Sequence, residues 1–124
     1  MTLIAVIIFA TATVASALEV RKSVTPIRID AMLDEPAWQD ATPIAVGYEW
    51  EPGENIAASV ATEALVTWDD EHLYVAFRAR DPHPDRIRAR FNERDLATND
   101  DNVGFFIDPF NDDRRAYQFR INAL

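Results

Sequence analysis

Apolar and polar residues alternate with a period of two along most of the chain after residue 24, a pattern that predicts β-strands. Ile27 and Ile29 alternate with Arg28 and Asp30 in a first extended segment. Residues 44–50 form a second one, and residues 51–55, which include Pro and Gly, follow it as a turn-rich loop.

A short helical turn is expected between these two segments. Asp34 is suited to cap it, because an Asp side chain accepts hydrogen bonds from free backbone N–H groups. Glu35 and Pro36 are suited to its first turn. Trp38 would then pack inward against the sheet.

The clearest element is a β-hairpin. Ala64, Val66 and Trp68 share one face of its first strand, which is expected to be the core face, and residues 69–72 are a polar connection of hairpin length. One face of the returning strand is apolar, with Leu73, Val75, Phe77 and Ala79. Its other face has Tyr74, Arg78 and Arg80.

Two more strands are predicted near the end of the chain. Residues 103–107 are apolar on both faces, residues 108–113 form a turn, and alternation resumes over residues 117–122. Short strands separated by Pro, Asp and Asn turns predict an all-β fold, a jelly-roll-like β-sandwich. Since strand character continues to Leu124 without a stop signal, the sandwich is expected to be incomplete at its C-terminus.

The first 17 residues are typical of a secretory signal peptide. They contain no charged side chain, and the apolar run over residues 3–10 is followed by small residues that end in Ala15-Ser16-Ala17. No Lys or Arg precedes the run. We predict a signal peptide over residues 1–17, a leader over residues 18–24 and the β-sandwich over residues 25–124. The protein is expected to be exported to the periplasm, the outer membrane or the extracellular space.

Composition narrows the choice of ligand. The chain has 124 residues, of which 48% are apolar, so it can bury a core. Its net charge of -9 argues against a nucleic-acid partner, which needs Lys and Arg to neutralise phosphates, and fits a neutral ligand such as a sugar, or a cation. The absence of cysteine excludes disulfides, thiolate catalysis and cysteine-based zinc sites.

Three segments resemble the carbohydrate-binding module family 9-like domain. They are IDAMLDEPAW (29–38), WDDEHLYVAFRARDPHPDRIRAR (68–90) and DDNVGFFIDPFNDDRRAYQFRIN (100–122). More narrowly, they are similar to the copy near the N-terminus of exported bacterial proteins that continue into a predicted outer-membrane β-barrel region. The resemblance implies a β-sandwich whose characterised members bind sugars with aromatic platforms and polar side chains, and some of which bind calcium.

Sugar recognition needs an exposed aromatic face and a few fixed hydrogen-bonding groups. Trp50 is the preferred platform, because it lies beside the Pro-Gly loop and away from a clear apolar face. Tyr74 and Arg78 project together from the second hairpin strand, where Tyr74 can stack and Arg78 can bind hydroxyls. The alternative for this face is a solvated surface with cross-strand charge pairs.

Acidic residues cluster on both sides of the strand at 103–107. Asp100, Asp101 and Asp108 are candidate calcium ligands, since calcium takes six to eight oxygen ligands. A purely local turn role is the alternative, because Asp and Asn favour turns. No catalytic residue is predicted: the chain has no GxSxG, HExxH, P-loop or GxGxxG motif, and no acidic pair stands out for glycoside hydrolysis.

These observations predict non-catalytic binding of a polysaccharide or oligosaccharide, by a module of a larger exported protein linked to polysaccharide breakdown. Two alternatives stay open. The domain is either a structural or interaction unit attached to an outer-membrane β-barrel, or the accessory domain of a glycoside hydrolase whose catalytic residues lie outside this chain. Any enzymatic activity of the parent protein would be hydrolysis of O-glycosyl bonds.

Overall fold

A computed structural model describes residues 18–50, 53–91, 93 and 99–124. The helices and strands of these ranges are α1 (Pro36–Asp40), β1 (Ile44–Glu49), β2 (Ile56–Trp68), β3 (Leu73–Arg80), the 3-10 turn Pro84–Arg86, β4 (Asn102–Ile107) and β5 (Tyr117–Asn122). The predicted all-β class is confirmed, since antiparallel strands dominate and helix is almost absent. The predicted signal peptide lies outside the described residues.

Two antiparallel sheets make up the structure. β1, β2 and β3 form a three-stranded sheet with β2 in the centre, and β4 and β5 form a two-stranded sheet. β2 and β3 pair without interruption from Ala61 opposite Arg80 to Trp68 opposite Leu73. A backbone hydrogen bond of 2.9 Å from the Asp69 N–H to the His72 carbonyl closes their connection. The predicted hairpin is therefore confirmed.

The three-stranded sheet has two differently covered faces. The first, called the helix face, carries Glu63, Leu65 and Thr67 of β2 with their partners Arg78, Ala76 and Tyr74 of β3. The helix α1 covers part of it. Trp38, Ala41 and Leu65 form the buried cluster there, and Ile27, Leu33, Tyr74 and Ala76 pack against it. The predicted inward packing of Trp38 is confirmed.

The second face, called the aromatic face, carries Ala64 and Val66 with their β3 partners Phe77 and Val75. The two-stranded sheet lies on this side. The ring of Phe77 stacks against that of Phe105 at 6.5 Å between centroids, and Phe105 stacks on Phe119 at 5.0 Å. The Phe77–Phe105 contact connects the two sheets, which form the two layers of a sandwich.

The predicted burial of Trp68 is wrong. Its side chain is 39% exposed, whereas Leu65 and Thr67, on the opposite face, are 3% and 2% exposed. The Trp68 indole N–H donates to the Val20 carbonyl at 3.2 Å, and the Lys22 ammonium lies 5.3 Å from the ring centre. The segment before residue 24 therefore contacts the end of β2 at Trp68.

The predicted cap of α1 is also wrong. Glu35, not Asp34, is the residue at the N-cap, and no side chain caps the helix. The reason is Pro36, which occupies the first helical turn and disfavours helical backbone angles in the residue before it, so that Glu35 is extended.

No strand forms around Ile27 and Ile29. Ile27 packs against the Trp38 cluster, but Ile29 is 85% exposed. Asp30 accepts a hydrogen bond from the Met32 N–H at 3.0 Å, and Ala31 has a positive φ of 62°. This local turn prevents a regular strand from continuing there.

Candidate functional site

Trp50 lies directly after β1 and is 80% exposed. Tyr48, two residues earlier in β1, is 68% exposed. Because side chains alternate along a strand, residues two apart project from the same side. We call these two residues the aromatic pair. The sequence interpretation missed Tyr48, although its spacing from Trp50 was a signal that could have identified it.

The turn that follows the aromatic pair returns the chain to β2. The Asn55 N–H donates to the Glu49 carbonyl at 2.9 Å. Glu54 and Asn55 both have positive φ angles, of 45° and 67°, a conformation that Asn adopts more readily than most residues. The last pair of the β1–β2 ladder, Glu49 opposite Ile56, therefore lies at the base of this turn.

An irregularity in the ladder lies beside the aromatic pair. Val46 pairs with Thr62, but Tyr48 pairs with Ala57, so that residues 58–61 of β2 face only Gly47. This is an enlarged β-bulge. The Glu49 carboxylate accepts hydrogen bonds from both the backbone N–H and the hydroxyl of Ser59, within the bulge. The bond from the hydroxyl has the largest effect, and the two bonds lower the pKa of Glu49 below its usual 4.5. The carboxylate that bonds to the bulge is therefore ionised at neutral pH.

Arg78 lies on the helix face, where its guanidinium is 2.7 Å from the Glu63 carboxylate of the neighbouring strand. Arg80 approaches the same carboxylate at 3.8 Å. The predicted cross-strand charge pairing on this face is therefore present. Arg78 is also one wall of an open depression between the segment 31–34 and the edge of β3.

Tyr74 is half-buried, and its ring packs against the Trp38 cluster. Its hydroxyl donates to the Asp69 carboxylate at 2.7 Å. This bond raises the pKa of Tyr74. Together with the N–H groups of Glu71 and His72 it lowers the pKa of Asp69 to about 2. Tyr74 therefore bonds to the first residue of the β2–β3 turn. The expectation that the surface around Tyr74 is solvated is wrong, because its ring packs against the buried cluster.

The structure does not bring the three predicted sugar contacts together. Tyr74 lies opposite Thr67, near the C-terminal end of β2. Glu49, which directly precedes Trp50, lies opposite Ile56 at the other end of β2. The two ends are up to roughly 36 Å apart at ~3.3 Å per residue. Arg78 shares a face with Glu63 and Ala45, and alternation along β1 places Tyr48 on the opposite face. One sugar ring cannot contact all three residues, and sugar contact by any of them stays a prediction.

Asp100 and Asp101 directly precede β4, and their side chains hydrogen-bond to the backbone of the segment 88–90. The Asp100 carboxylate accepts from the Arg90 N–H at 2.9 Å, and that of Asp101 accepts from the Arg88 N–H at 2.9 Å. Asp100 is 7% exposed and also accepts from the Asn122 side-chain amide at 3.2 Å. Both carboxylates thus bind backbone of the same chain.

Asp108 lies at the other end of β4, up to about 23 Å from Asp101 at ~3.3 Å per residue. Its carboxylate accepts from the N–H groups of Phe110, Asp112 and Asp113 at 2.9, 3.0 and 3.0 Å. Partial burial opposes ionisation, but these bonds together lower the pKa of Asp108. Asn111 is in the left-handed region with φ of 50°. The arrangement favours the turn role at Asp108, and one ion cannot be held by all three predicted ligands.

Within residues 18–50, 53–91, 93 and 99–124, no group of three or more His, Asp or Glu side chains is arranged to hold a metal ion. In the same ranges no helix combines the length and hydrophobicity needed to cross a membrane. Calcium binding at Asp100 and Asp101 stays a prediction.

Comparison with known proteins identifies the family. The family model described as "Carbohydrate family 9 binding domain-like" matches residues 29–123. The match covers well over half of the chain, so the chain belongs to this family. It includes β1 to β5 and the aromatic pair. No curated protein and no solved structure matches the chain.

Proposed function

We propose that this member of the carbohydrate family 9 binding domain-like family is a non-catalytic module that binds a polysaccharide or oligosaccharide through the aromatic pair, Tyr48 and Trp50. The observation that carries the proposal is the 80% exposure of the Trp50 ring beside the 68% exposure of Tyr48. Large aromatic rings are usually covered, because they dominate the burial of apolar area in cores and interfaces.

The chemistry of the pair suits a sugar. One face of a pyranose presents C–H groups that pack on an aromatic ring, while the indole N–H and the phenol hydroxyl remain able to bind sugar hydroxyls. Such a shallow site buries little apolar area, and it must desolvate hydroxyl groups on both partners. We therefore expect modest affinity, in the micromolar to millimolar range.

The test is a calorimetric titration of the full chain against a panel of soluble oligosaccharides. Trp50→Ala should reduce the affinity for a bound glycan at least tenfold, and Trp50→Phe should retain part of it, because a smaller ring still stacks. Phe106→Ala is the matched control, since Phe106 is also 68% exposed but lies on β4 in the other sheet.

Two outcomes contradict the proposal. The first is that the wild-type chain binds no glycan of the panel at millimolar concentration. The second is that Trp50→Ala and Phe106→Ala have the same effect, which would mean that the pair is not the binding surface.

We further propose that the module acts outside the cytoplasm, as part of a larger protein linked to polysaccharide breakdown. The support is the apolar, uncharged run within residues 1–17 and the Ala15-Ser16-Ala17 motif. N-terminal sequencing of the protein isolated from its native cells should find Leu18 as the first residue. Retention of residues 1–17 would contradict cleavage.

A further inference from the structure

β5 is an edge strand of the two-stranded sheet. It pairs with β4 without a bulge, from Ile107 opposite Tyr117 to Asn102 opposite Asn122, and with no other strand in the part of the chain that the structure describes. Alternate residues of such a strand direct their N–H and C=O groups away from the neighbouring strand. Proteins usually protect these groups from another chain with a bulge, Pro or Lys, and β5 has none of the three. Its outer edge is therefore regular and open to a further strand.

The other strand edges are less suited to pairing. β1 is distorted by the bulge opposite Gly47, and the segment 31–34 lies beside the edge of β3. Directly before β4, the Asp101 N–H donates to the Arg88 carbonyl at 2.8 Å, so a neighbouring segment already lies along that edge. Among the described strands, β5 therefore has the edge that a further strand can extend most regularly.

One side of β5 is apolar and only half covered. Tyr117, Phe119 and Ile121 alternate on this side and are 59%, 46% and 46% exposed. Phe119 stacks on Phe105, so this side is directed towards the three-stranded sheet, which covers only part of it. A fully buried Tyr or Phe covers about 150–250 Å², so the two rings leave roughly 200 Å² of apolar surface exposed in each copy of the chain. A strand beside β5 would cover much of this surface.

Charge is divided unevenly along the chain. Residues 86–124, which contain β4 and β5, have seven basic and seven acidic side chains, so the net charge of -9 belongs entirely to the residues before them. A strongly charged partner therefore has no electrostatic advantage at the edge of β5. The complementary partner is an apolar strand in a segment without net charge, and β5 of a second copy of this chain meets both conditions.

The sequence of β5 is complementary to itself when two copies pair antiparallel about a two-fold axis at Phe119. Tyr117 then lies opposite Ile121 of the second copy, and the two Phe119 rings lie opposite each other, which are favourable cross-strand pairs. On the other side, Gln118 lies opposite Arg120 of the second copy, and its amide oxygen can accept from the guanidinium. An axis at Arg120 would instead place two like charges opposite each other.

From these observations we infer that β5 is a self-association edge, through which two copies of this chain form a four-stranded sheet in the order β4-β5-β5-β4, with Phe119 at the two-fold axis. The inference does not depend on sugar binding. The two pairs of rings contribute about 400 Å² to the contact, and a stable interface buries at least ~1,000 Å² in total. The backbone edges and the remaining side chains of β5 supply the rest, so the dimer is reversible, with a dissociation constant in the micromolar range.

The first experiment is sedimentation velocity of the full chain from about 5 to about 500 µM, a range that brackets a micromolar dissociation constant. The dimer fraction of the wild type should rise with concentration. Tyr117→Lys places a charge opposite Ile121 of the second copy and should raise the dissociation constant at least tenfold. Phe106→Lys is the matched control, because Phe106 is 68% exposed but lies on β4, away from this edge. Circular dichroism checks the fold of each variant.

The second experiment tests the register, and the absence of cysteine from the chain makes it clean. Gln118→Cys and Arg120→Cys variants are mixed and oxidised. Residues directly opposite have Cα atoms about 4.5–5.5 Å apart, within the reach of a disulfide, so the mixture should form a cross-linked dimer. Either variant alone places its two cysteines in diagonal positions about 7–8 Å apart, too far to bridge. Phe106→Cys, mixed with either variant, measures cross-linking by random collision.

Three outcomes would overturn the inference. The first is a wild type that stays monomeric at every concentration. The second is a dimer that Tyr117→Lys and Phe106→Lys weaken equally. The third is a mixture of Gln118→Cys and Arg120→Cys that cross-links no more than the Phe106→Cys control, and this result decides the question even if Tyr117→Lys does not fold.

Discussion

Leu65 provides the sharpest test of how the sheet is packed, because alternation in the sequence points to the face of Ala64 and Val66, whereas Leu65 lies on the other face. It is 3% exposed on the helix face, in the cluster with Trp38 and Ala41. Leu65→Ala removes three buried carbon atoms and leaves a cavity beneath α1. Buried Leu→Ala changes cost about 2–5 kcal/mol, and since the neighbouring side chains are only partly buried and can relax, we expect about 3 kcal/mol.

The same chemical change at Leu73 is the matched control. Leu73 begins β3 and is 48% exposed. A Leu side chain contributes about 1.5–3 kcal/mol when fully buried, so a half-exposed one that leaves no closed cavity should cost about 1 kcal/mol or less. A domain of roughly 100 residues has a total stability of about 5–15 kcal/mol. Leu65→Ala therefore removes a large share of it, and Leu73→Ala a small one.

Urea unfolding, monitored by tryptophan fluorescence, measures the loss of unfolding free energy in both variants. The comparison requires that the slope of this free energy against urea concentration is unchanged. For a domain of this size, about 3 kcal/mol corresponds to a fall in Tm of about 12–24 °C. If Leu73→Ala destabilises the protein as much as Leu65→Ala, the helix face is not the main core, and the assignment of the buried cluster to α1 and β2 fails.

Two further predictions concern the turns. The pKa of Asp69 is about 2 in the folded protein against a usual 3.8, so its carboxylate stabilises the fold above pH ~4, and this contribution is lost as the pH falls through about 2. Urea unfolding between pH 5 and pH 2 should show this loss of stability for the wild type, and Asp69→Asn should lose less stability over the same range. If both proteins lose stability equally with falling pH, the contacts of Asp69 with Tyr74 and the turn are not the source of the loss. Asp108→Ala should remove the acceptor of three N–H groups in the β4–β5 connection, which hydrogen exchange would detect as faster exchange at Phe110 and Asp113 than in the wild type. Because its carboxylate is occupied by these groups, calcium removal with EDTA should leave exchange there unchanged, and faster exchange after EDTA would instead support a calcium ligand at Asp108.

Local features of the sequence were good predictors of the turns and strands. Asp69 and Asp108 were placed in turns, and each accepts hydrogen bonds from backbone N–H groups a few residues further along. The β2–β3 hairpin was recognised from alternation on both sides of a short polar connection. Such features depend on interactions between residues a few positions apart, so they can be inferred from the sequence alone.

The sites were predicted less well, because they depend on pairing between distant segments. Trp50 was chosen as the platform candidate from its position beside the Pro-Gly loop, and its side chain is 80% exposed. Tyr74 and Arg78 were grouped with it by residue type, yet the register places one at the far end of β2 and the other on the opposite face. The interruption of the β1–β2 ladder at Gly47 depends on the extra residues of β2, which no local pattern distinguishes from a regular strand.

The sequence by itself thus determined that the chain is built from β-strands paired in a hairpin, and where those strands turn. Alternation and turn chemistry are properties of neighbouring residues, so they can be read without the fold. Only the tertiary structure decided that the helix face is the better buried side, that Trp68 is partly exposed, and that the β1–β2 ladder is interrupted opposite Gly47. Each of these depends on which segment covers a strand and in which register it pairs, and contacts between residues far apart in the chain determine both.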